Sequence, residues 1–171
     1  MMLVVFGGLP GAGKTTLARG LAQQLGATYV RIDTIEQALR NSRALAGDVG
    51  EAGYRVAYGL AADNLRLGRS VVADSVNPLK ITRDAWRAVA AGADAQVIEI
   101  EAVCSDLVEH RRRVESRQSD IPGLSLPSWQ DVLDREYEPW DRPHIVVDTA
   151  TTGVDELLAD LRTMIGANPL A

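Results

Sequence analysis

A glycine-rich loop between an apolar strand and an amphipathic helix constrains this chain more than any other feature. The loop spans residues 8–16 and reads G-L-P-G-A-G-K-T-T, which matches the pattern G-x-x-x-x-G-K-[ST]. The apolar run Met2–Phe6 precedes it, and leucines at helical spacing follow it from Leu17 to Leu25. This is the context in which the pattern cradles phosphate groups. The predicted nucleotide-binding residues are Gly8, Gly11, Ala12, Gly13, Lys14, Thr15 and Thr16.

Each residue type in the loop has a physical reason to be there. Glycines have no Cβ, so the backbone can turn sharply and bring its N–H groups close to an anion. The start of the helix adds unpaired N–H groups and the positive end of its dipole. Lys14 is expected to bridge the β- and γ-phosphates, and the Thr15 hydroxyl to hold Mg²⁺. The dinucleotide pattern G-x-G-x-x-G does not fit, because its third glycine would fall at Thr16.

The bulk composition is typical of one soluble domain. The chain has 171 residues, of which 46% are hydrophobic and 24% charged, and its net charge is −5. An acidic balance argues against a surface that holds nucleic acid, which needs a basic face. No apolar run approaches the about 18 residues of a membrane span, and the N-terminal run reads as a first strand rather than a signal peptide. The single cysteine, Cys104, fits a reducing compartment, so we expect a cytoplasmic protein without membrane association; its oligomeric state stays open.

The rest of the chain alternates short apolar runs with helical patterns. This alternation predicts an α/β fold with a five-stranded parallel sheet and helices on both faces, as one domain over residues 1–171. The predicted strands are Met2–Phe6, Thr28–Ile32, Ser70–Ala73, Ala95–Glu101 and His144–Val147. Two consecutive helical stretches predict a substrate arm over 33–68, and an arginine-rich helix with the loop behind it predicts a lid over 111–128. Ligands then bind beyond the carboxyl ends of the strands.

Polar residues at helix starts give more local predictions. The first helix is expected over Lys14–Leu25, with Gly26 as its stop. Ser105 is a candidate N-cap for a helix that runs to about Arg117. Ser128-x-x-Asp131 is expected to open a short helix that ends near Tyr137.

Asp33, at the end of the second predicted strand, is the candidate catalytic base. A carboxylate here is expected to lie beside the loop that follows the first strand and could accept the proton of an attacking hydroxyl. The same residue also fits an N-cap, because Asp33-x-x-Glu36 is a capping box. The two roles are compatible but respond differently to Asp33→Asn, since asparagine is itself a good N-cap.

Asp74 and two arginines complete the predicted site. Asp74, at the tip of the third strand, could hold a Mg²⁺-bound water, or it is a turn residue before Asn77-Pro78. Arg113 and Arg117 share a helical face, which suits a lid that closes over the triphosphate and neutralises its charge. The alternative for this helix is a solvated face whose arginines pair with Glu109 and Glu115.

Other classes of nucleotide-binding protein leave signatures that this chain lacks. A GTPase should carry an N-K-x-D motif, and neither of the two lysines, Lys14 and Lys80, lies in one. The large ATPases usually follow the strand-3 aspartate with a glutamate, but Ser75 follows Asp74. What remains is phosphoryl transfer to an acceptor other than water.

These features together resemble the small P-loop kinases. The nearest in pattern is the phage polynucleotide 5′-hydroxyl kinase domain, and relatives include zeta-toxin-type, chloramphenicol, gluconate and adenylylsulfate kinases. The resemblance covers most of residues 2–148. The matching positions are residues 8–15, Asp33, the stretch 71–78, Arg83, Trp86, Arg113 and Arg117.

The resemblance implies roles for individual residues. Lys14 and Thr15 would bind ATP and Mg²⁺, and Asp33 would activate the acceptor hydroxyl. Arg113 and Arg117 would be the lid arginines. The polynucleotide kinases usually carry an arginine shortly after the aspartate, whereas T-I-E-Q follows Asp33 here, which argues against a nucleic-acid substrate.

The expected function is ATP- and Mg²⁺-dependent transfer of the γ-phosphate to a hydroxyl of a small molecule. The expected catalytic residues are Asp33, Lys14, Arg113 and Arg117, with Thr15 and Asp74 at the metal. A nucleotide kinase, a polynucleotide 5′-hydroxyl kinase and a non-catalytic ATP-binding switch module stay open, as does the choice of ATP over GTP. The acceptor is expected at the arm, where the candidate residues are Arg31, Arg40, Arg43, Tyr54, Arg55 and Tyr58.

Overall fold

The computed structural model describes residues 1–42 and 47–166, which form five strands and seven helices. The strands are β1 Met2–Gly7, β2 Thr28–Arg31, β3 Val71–Asp74, β4 Gln96–Val103 and β5 Ile145–Asp148. The helices are α1 Lys14–Leu25, α2 Ile32–Ser42, α3 Ala52–Arg66, α4 Lys80–Ala91, α5 Leu107–Ser116, α6 Trp129–Leu133 and α7 Val154–Gly166. The predicted α/β architecture is confirmed. Arg43 lies outside the described residues.

The five strands form one parallel sheet in the order β2-β3-β1-β4-β5. β1 is the central strand, with Leu3 beside Val71 of β3 and beside Val97 of β4. β3 therefore lies between β1 and β2, so the Asp33 end of β2 is one strand removed from the glycine loop. All strands point the same way, so their carboxyl ends still share one edge of the sheet, which is where ligands bind in such folds.

Helices cover both faces of the sheet, because successive side chains of a strand point to opposite sides. On one face, Val4 and Phe6 pack with α1 and α7 through Leu17, Leu21 and Leu161. On the other face, Leu3 and Val5 pack with α3 and α4; the buried partners there include Ala57, Ala61, Leu65 and Trp86. The strand β1 is thus buried on both sides, and the loop that follows it is fixed by two packed layers. Within the described residues, no helix has the length and apolar character needed to cross a membrane.

Helix α2 begins at Ile32, directly after β2 ends at Arg31. Asp33 therefore lies in the first turn of α2, and the interpretation of Asp33 as its N-cap is wrong. With Asp33 inside the helix, Asp33 and Glu36 are not in the positions of a capping box, and the Glu36 carboxylate accepts a hydrogen bond from Arg40 at 3.1 Å. The physical reason is that strand and helix join without an intervening turn.

Two other helix starts test the local predictions. Asp106, not Ser105, is the N-cap of α5: its side chain accepts hydrogen bonds from the amides of Val108 and Glu109. The Ser105 hydroxyl instead binds Asp148 at the end of β5. The capping box of Ser128 and Asp131 is confirmed, but α6 ends at Leu133, four residues before the predicted limit. Both differences come from contacts that a local sequence pattern does not contain.

Gly8 is expected to be intolerant of a side chain. Its φ is +127°, and a Cβ there would lie 2.1 Å from the carbonyl oxygen of Ala102 in β4. Gly8→Ala should lose about 1–3 kcal/mol of unfolding free energy from backbone conformation alone, and more because backbone must also move. Chemical denaturation measures the loss. Gly59→Ala is the matched control: Gly59 lies in α3 with nothing within 4 Å of its Cβ position, and should gain about 0.5–1 kcal/mol. Equal stability of the two variants would contradict the prediction.

Candidate active site

The glycine loop crosses the carboxyl end of the sheet between β1 and α1. The Gly8 amide donates to the carbonyl of Val76 at 3.0 Å, which ties the loop to the segment after β3. Gly13 precedes the first residue of α1 with a φ of 89°, a left-handed conformation that favours glycine. His110 of α5 places its Nε2 2.8 Å from the Pro10 carbonyl oxygen. The loop is thus held from three directions.

A cavity of about 640 Å³ opens on this loop. Its wall comes from the glycine loop with the first half of α1, the segments at the ends of β2 and β3, and the end of α5 with the segment 117–127. Arg135 after α6, Thr149 after β5 and Val154 at the start of α7 complete it. The charged side chains that line it are Lys14, Arg19, Arg31, Asp33, Asp74, Arg113, Arg117, Asp120 and Arg135. The structure therefore brings the predicted residues Lys14, Thr15, Asp33, Asp74, Arg113 and Arg117 to one cavity.

Lys14 is buried in the wall of this cavity. Only 7% of the residue is exposed, and its Nζ donates a hydrogen bond to the Leu9 carbonyl at 2.9 Å. Burial lowers its pKa from 10.5 to about 8, while the nearby carboxylates of Asp74 and Asp33 oppose that shift. A buried ammonium next to the loop amides is a ready partner for phosphate oxygens.

Asp33 lines the same cavity from the first turn of α2. Its side chain is 50% exposed, and its nearest cationic partner is the Nη2 of Arg31, 3.8 Å from Oδ2. That separation is too long for a hydrogen bond. The carboxylate therefore faces the open space with lone pairs free to accept a proton.

Asp74 is the last residue of β3 and is 3% exposed. Its Oδ2 accepts a hydrogen bond from the Tyr29 hydroxyl at 2.7 Å and lies 3.9 Å from the Nε of Arg31. Among the described residues no hydrogen bond reaches its Oδ1, so one carboxylate oxygen is left for a metal-bound water. Since Asp74 ends a strand, the alternative of a turn residue before Asn77-Pro78 does not describe its position.

The donor set suits Mg²⁺. The Thr15 hydroxyl and the Asp74 carboxylate are oxygen ligands on one cavity, and Mg²⁺ usually keeps waters and takes its other ligands from substrate phosphates. Residues 1–42 and 47–166 contain no group of three or more His, Cys, Asp and Glu side chains that could hold a metal ion by themselves.

The two predicted lid arginines differ in how they are held. Arg113 donates from Nε to Glu109 at 2.7 Å, and from its two Nη atoms to the hydroxyl and carbonyl of Thr149 at 2.7 and 3.0 Å. The Thr149 hydroxyl lies 3.1 Å from the Ala12 carbonyl of the loop. Arg113 is thus a tie between α5 and the glycine loop, and its pairing with Glu109 matches the alternative for this helix.

Arg117 is partly buried and has no ion pair or side-chain hydrogen bond with the described residues. Its Nε is buried without a partner. Burial lowers the pKa of Arg117, and the charge of Asp33 opposes the effect. An unpaired guanidinium beside the predicted base is free to take a phosphate oxygen.

Several cavity residues were not singled out by their pattern. Arg19 lies within α1, Asp120 in the loop after α5, and Arg135 after α6. Their only sequence signal is charge, which gives no position. Nothing in the sequence pattern singles out His110 either, yet its ring contacts the loop and packs edge-on against Trp129 with centroids 5.2 Å apart.

Of the arm candidates that the structure describes, Arg31 alone lines the cavity. Arg40 and Arg55 pair with Glu36 and Glu51 one turn away on their own helices. The other two support the fold: the Tyr54 oxygen accepts from the Asn77 amide, and the Tyr58 hydroxyl donates to Thr82 while its ring packs against Trp86.

The strand order, the glycine loop and the cavity define a P-loop kinase-like domain. A family model described as an AAA domain, AAA_33, matches residues 3–135, and the chain belongs to that family. The uncharacterized protein Rv2004c of Mycobacterium tuberculosis is 31% identical over 161 residues, which cover 86% of this chain and 32% of the relative. The chain therefore spans about a third of the length of that curated relative.

Solved structures of kinases share this fold. The adenylylsulfate (APS) kinase CysC of Mycobacterium tuberculosis, solved with AMPPNP and APS, superposes with a TM-score of 0.73 at 18% identity, covering 97% of this chain and 98% of that one. A sugar kinase from Janibacter sp. gives a TM-score of 0.71 at 19% identity, with 99% and 96% covered. The predicted P-loop kinase fold is confirmed.

Proposed function

We propose that this protein is an ATP- and Mg²⁺-dependent phosphotransferase that moves the γ-phosphate to a hydroxyl of a small-molecule acceptor. The observation that carries the proposal is the position of Asp33. Its half-exposed carboxylate lines the same cavity as the glycine loop and contributes to the electrostatic environment of Lys14. A phosphate cradle and a free proton acceptor on one cavity are what transfer to an alcohol requires.

The nucleotide is held by its phosphates in this proposal. Loop amides and the N-terminus of α1 bind the β- and γ-phosphate oxygens, and the Lys14 ammonium lies between them. Thr15 and, through water, Asp74 would hold Mg²⁺, which neutralises charge on the β- and γ-oxygens when it is bound.

Transfer of the γ-phosphoryl group then needs a proton acceptor and a cation that stabilises the charge of the transition state. The acceptor oxygen attacks the γ-phosphorus, the bond from that phosphorus to the β,γ-bridging oxygen breaks, and ADP leaves. The hydroxyl proton passes to the Asp33 carboxylate. Arg117 places its unpaired guanidinium on the equatorial oxygens, where charge is spread in the transition state.

Two segments beside the cavity, residues 111–128 and 33–68, have separate roles in the proposed reaction. Residues 111–128 serve as a lid, because the end of α5 and the segment behind it close one wall of the cavity. Of residues 33–68, proposed as the acceptor arm, Asp33 in the first turn of α2 is the described residue that lines the cavity. Exclusion of water by such a lid favours transfer over hydrolysis.

The comparisons support the class of reaction and leave the acceptor open. The APS kinase and the sugar kinase among the fold neighbours are named for small hydroxyl-bearing molecules. The net charge of −5 supports a small acceptor over a nucleic acid.

The direct test is transfer of label from γ-labelled ATP to a panel of alcohols, sugars, nucleosides and antibiotics, with a short single-stranded DNA included. Appearance of label in one acceptor, with loss of transfer on removal of Mg²⁺, supports the proposal. Label in no acceptor, together with nucleotide-dependent association with another protein, would instead favour the switch module.

Lys14 makes a prediction about pH. It must be protonated to bind phosphate, and in the free protein its pKa is about 8. Bound phosphates raise that pKa, so ATP affinity should be constant below pH 8 and fall about tenfold per pH unit above it. Calorimetric titration with a nonhydrolysable ATP analogue from pH 6.5 to about 9.5 checks this. In Lys14→Gln the pH dependence should vanish, whereas Lys80→Gln, at the only other lysine, should keep it. A flat wild-type profile would contradict the assignment.

A further inference from the structure

A carboxylate from the lid lies between two arginines inside the cavity. Asp120 accepts from Arg31 Nη1 at 2.8 Å through Oδ1 and from Arg19 Nη2 at 2.5 Å through Oδ2. These two contacts hold the pKa of Asp120 at about 2, so it is an anion at any working pH. Arg19 comes from α1, Arg31 from the end of β2 and Asp120 from the segment after α5, so three elements meet at one charge.

The two arginines border the predicted proton acceptor. The Arg31 side chain is 11% exposed, and its other terminal nitrogen, Nη2, lies 3.8 Å from Asp33 Oδ2. Its Nε is buried without a hydrogen-bond partner and faces Asp74 at 3.9 Å. One planar guanidinium thus has the Asp120 carboxylate on one side and Asp33 on another. An anion in the place of Asp120 would sit next to the acceptor hydroxyl.

We propose that Arg19 and Arg31 form the binding site for an anionic group of the phosphate acceptor, and that the Asp120 carboxylate occupies this site until the acceptor replaces it. The inference rests on the proposed function and names the substrate class. The acceptor is a small alcohol that also carries a carboxylate or a phosphate. Its hydroxyl lies at Asp33 and its anionic group at the two guanidiniums.

The exposed fractions of the Asp120 and Arg19 side chains support replacement of Asp120 by the acceptor rather than a permanent ion pair. The Asp120 side chain is 51% exposed and that of Arg19 is 47% exposed, so their ion pair is screened by water and contributes little to stability. Arg31 is the buried member, and Asp33 and Asp74 lie 3.8 and 3.9 Å from it, beyond hydrogen-bond distance, so the anion that its Nη1 hydrogen-bonds is the one at the place of Asp120. A substrate phosphate or carboxylate that is held in place by its own hydroxyl can therefore compete with a half-exposed loop carboxylate.

The spacing limits the size of the acceptor. The anionic group of the acceptor binds one side of the Arg31 guanidinium, and the acceptor hydroxyl lies at Asp33 on another side. The distance between the two groups is therefore no more than the width of one guanidinium and its hydrogen bonds. The two groups are therefore a few bonds apart, as in a hydroxy acid or a phosphorylated polyol. A long polymer is not required to reach both.

The test compares acceptors that differ only in the anionic group: glycerol, glycerate and glycerol 3-phosphate. For the wild type, kcat/KM should exceed that for glycerol by at least about tenfold for one of the two anions, and which one wins identifies carboxylate or phosphate. Arg19→Gln and Arg31→Gln should remove this preference by raising KM for the anions. Arg66→Gln, at an exposed arginine paired with Asp63 on α3, is the matched control and should keep it.

A binding measurement tests the site without turnover. With Mg²⁺ and a nonhydrolysable ATP analogue filling the glycine loop, Asp120→Asn should bind inorganic phosphate at least about tenfold more tightly than the wild type, because the competing carboxylate is gone. Adding Arg19→Gln should cancel that gain. If phosphate binding rises as described but no acceptor is phosphorylated, the anion site stands and the proposed function falls.

The opposite pattern overturns the inference. If Asp120→Asn binds phosphate no more tightly, or if glycerol is the preferred acceptor and Asp120→Asn slows its phosphorylation, then Asp120 is a fixed latch of the lid and the acceptor is neutral. The proposed function would survive that result.

Discussion

Asp33→Asn is expected to slow phosphoryl transfer by about 10²–10⁴-fold while the protein still folds and binds ATP. Asparagine keeps the size of the side chain but cannot accept the proton of the acceptor hydroxyl. The affinity for ATP should change little, because the phosphates are held by the glycine loop and Lys14. Single-turnover transfer, ATP titration and chemical denaturation measure the three quantities on the same sample.

The contacts of Asp33 explain why Asp33→Asn should lose little stability. Asp33 lies in the first turn of α2, its side chain is half exposed, and no hydrogen bond joins that side chain to another residue in 1–42 or 47–166. Its removal costs the interaction of one carboxylate with a helix N-terminus, about 0.3–1 kcal/mol, together with a half-exposed ionic contact with Arg31 that contributes little. Asp155→Asn is the matched control, because Asp155 is the second residue of α7 just as Asp33 is of α2. It should show the same small loss of stability with full activity. Unchanged transfer in Asp33→Asn would remove the kinase proposal and leave nucleotide binding.

The features that the sequence predicts well are local ones. The first helix was placed at Lys14–Leu25, its observed bounds, because a glycine loop begins it and Gly26 ends it. The five strands were found within one or two residues, since buried parallel strands are short, nearly continuous apolar runs. The residues of the glycine loop are also predicted correctly as a loop between β1 and α1, because the motif consists of consecutive residues.

The features that were missed depend on distant contacts. Asp120 reaches Arg31 across 89 positions and Arg19 across 101, and His110 reaches Pro10 across 100. No spacing rule connects such pairs. The strand order has the same origin: that β3 separates β1 from β2 is a property of the sheet and not of any one strand. The capping interpretation of Asp33 was wrong because the chain enters α2 without a turn.

For the lid arginines, helical spacing predicts the shared face but not the partners of each side chain. Spacing of four residues predicts that Arg113 and Arg117 share a face, and both line the cavity. It cannot say that Thr149 and Glu109 use the donors of Arg113, since Thr149 lies 36 positions away. Nor can it say that Arg117 is left without a partner. The catalytic roles of both stay predictions. The two side chains differ in their contacts, because Arg113 is hydrogen-bonded and the Nε of Arg117 is buried without a partner.

Arg117→Ala is expected to lower the rate of transfer by about 10²–10³-fold, the usual cost of losing one group that stabilises charge in the transition state. The variant should not be less stable than the wild type. A guanidinium whose Nε is buried without a partner costs folding free energy, so its loss should be neutral or stabilising. Lower activity at equal or higher stability is the signature of a residue kept for catalysis rather than for the fold. Steady-state kinetics and denaturation together measure it.

Two further variants separate charge from geometry. Arg117→Lys keeps the charge but not the planar fork, so it should recover only part of the rate. Arg111→Ala, on the same helix but exposed and paired with Glu115 at 2.8 Å, should leave transfer unchanged. If Arg117→Ala instead destabilises the protein and transfers phosphate at the wild-type rate, Arg117 is a structural residue. The charge of the transition state would then have to be met by Lys14, Mg²⁺ and the other arginines of the cavity, because Arg113 already gives its hydrogen bonds to Glu109 and Thr149.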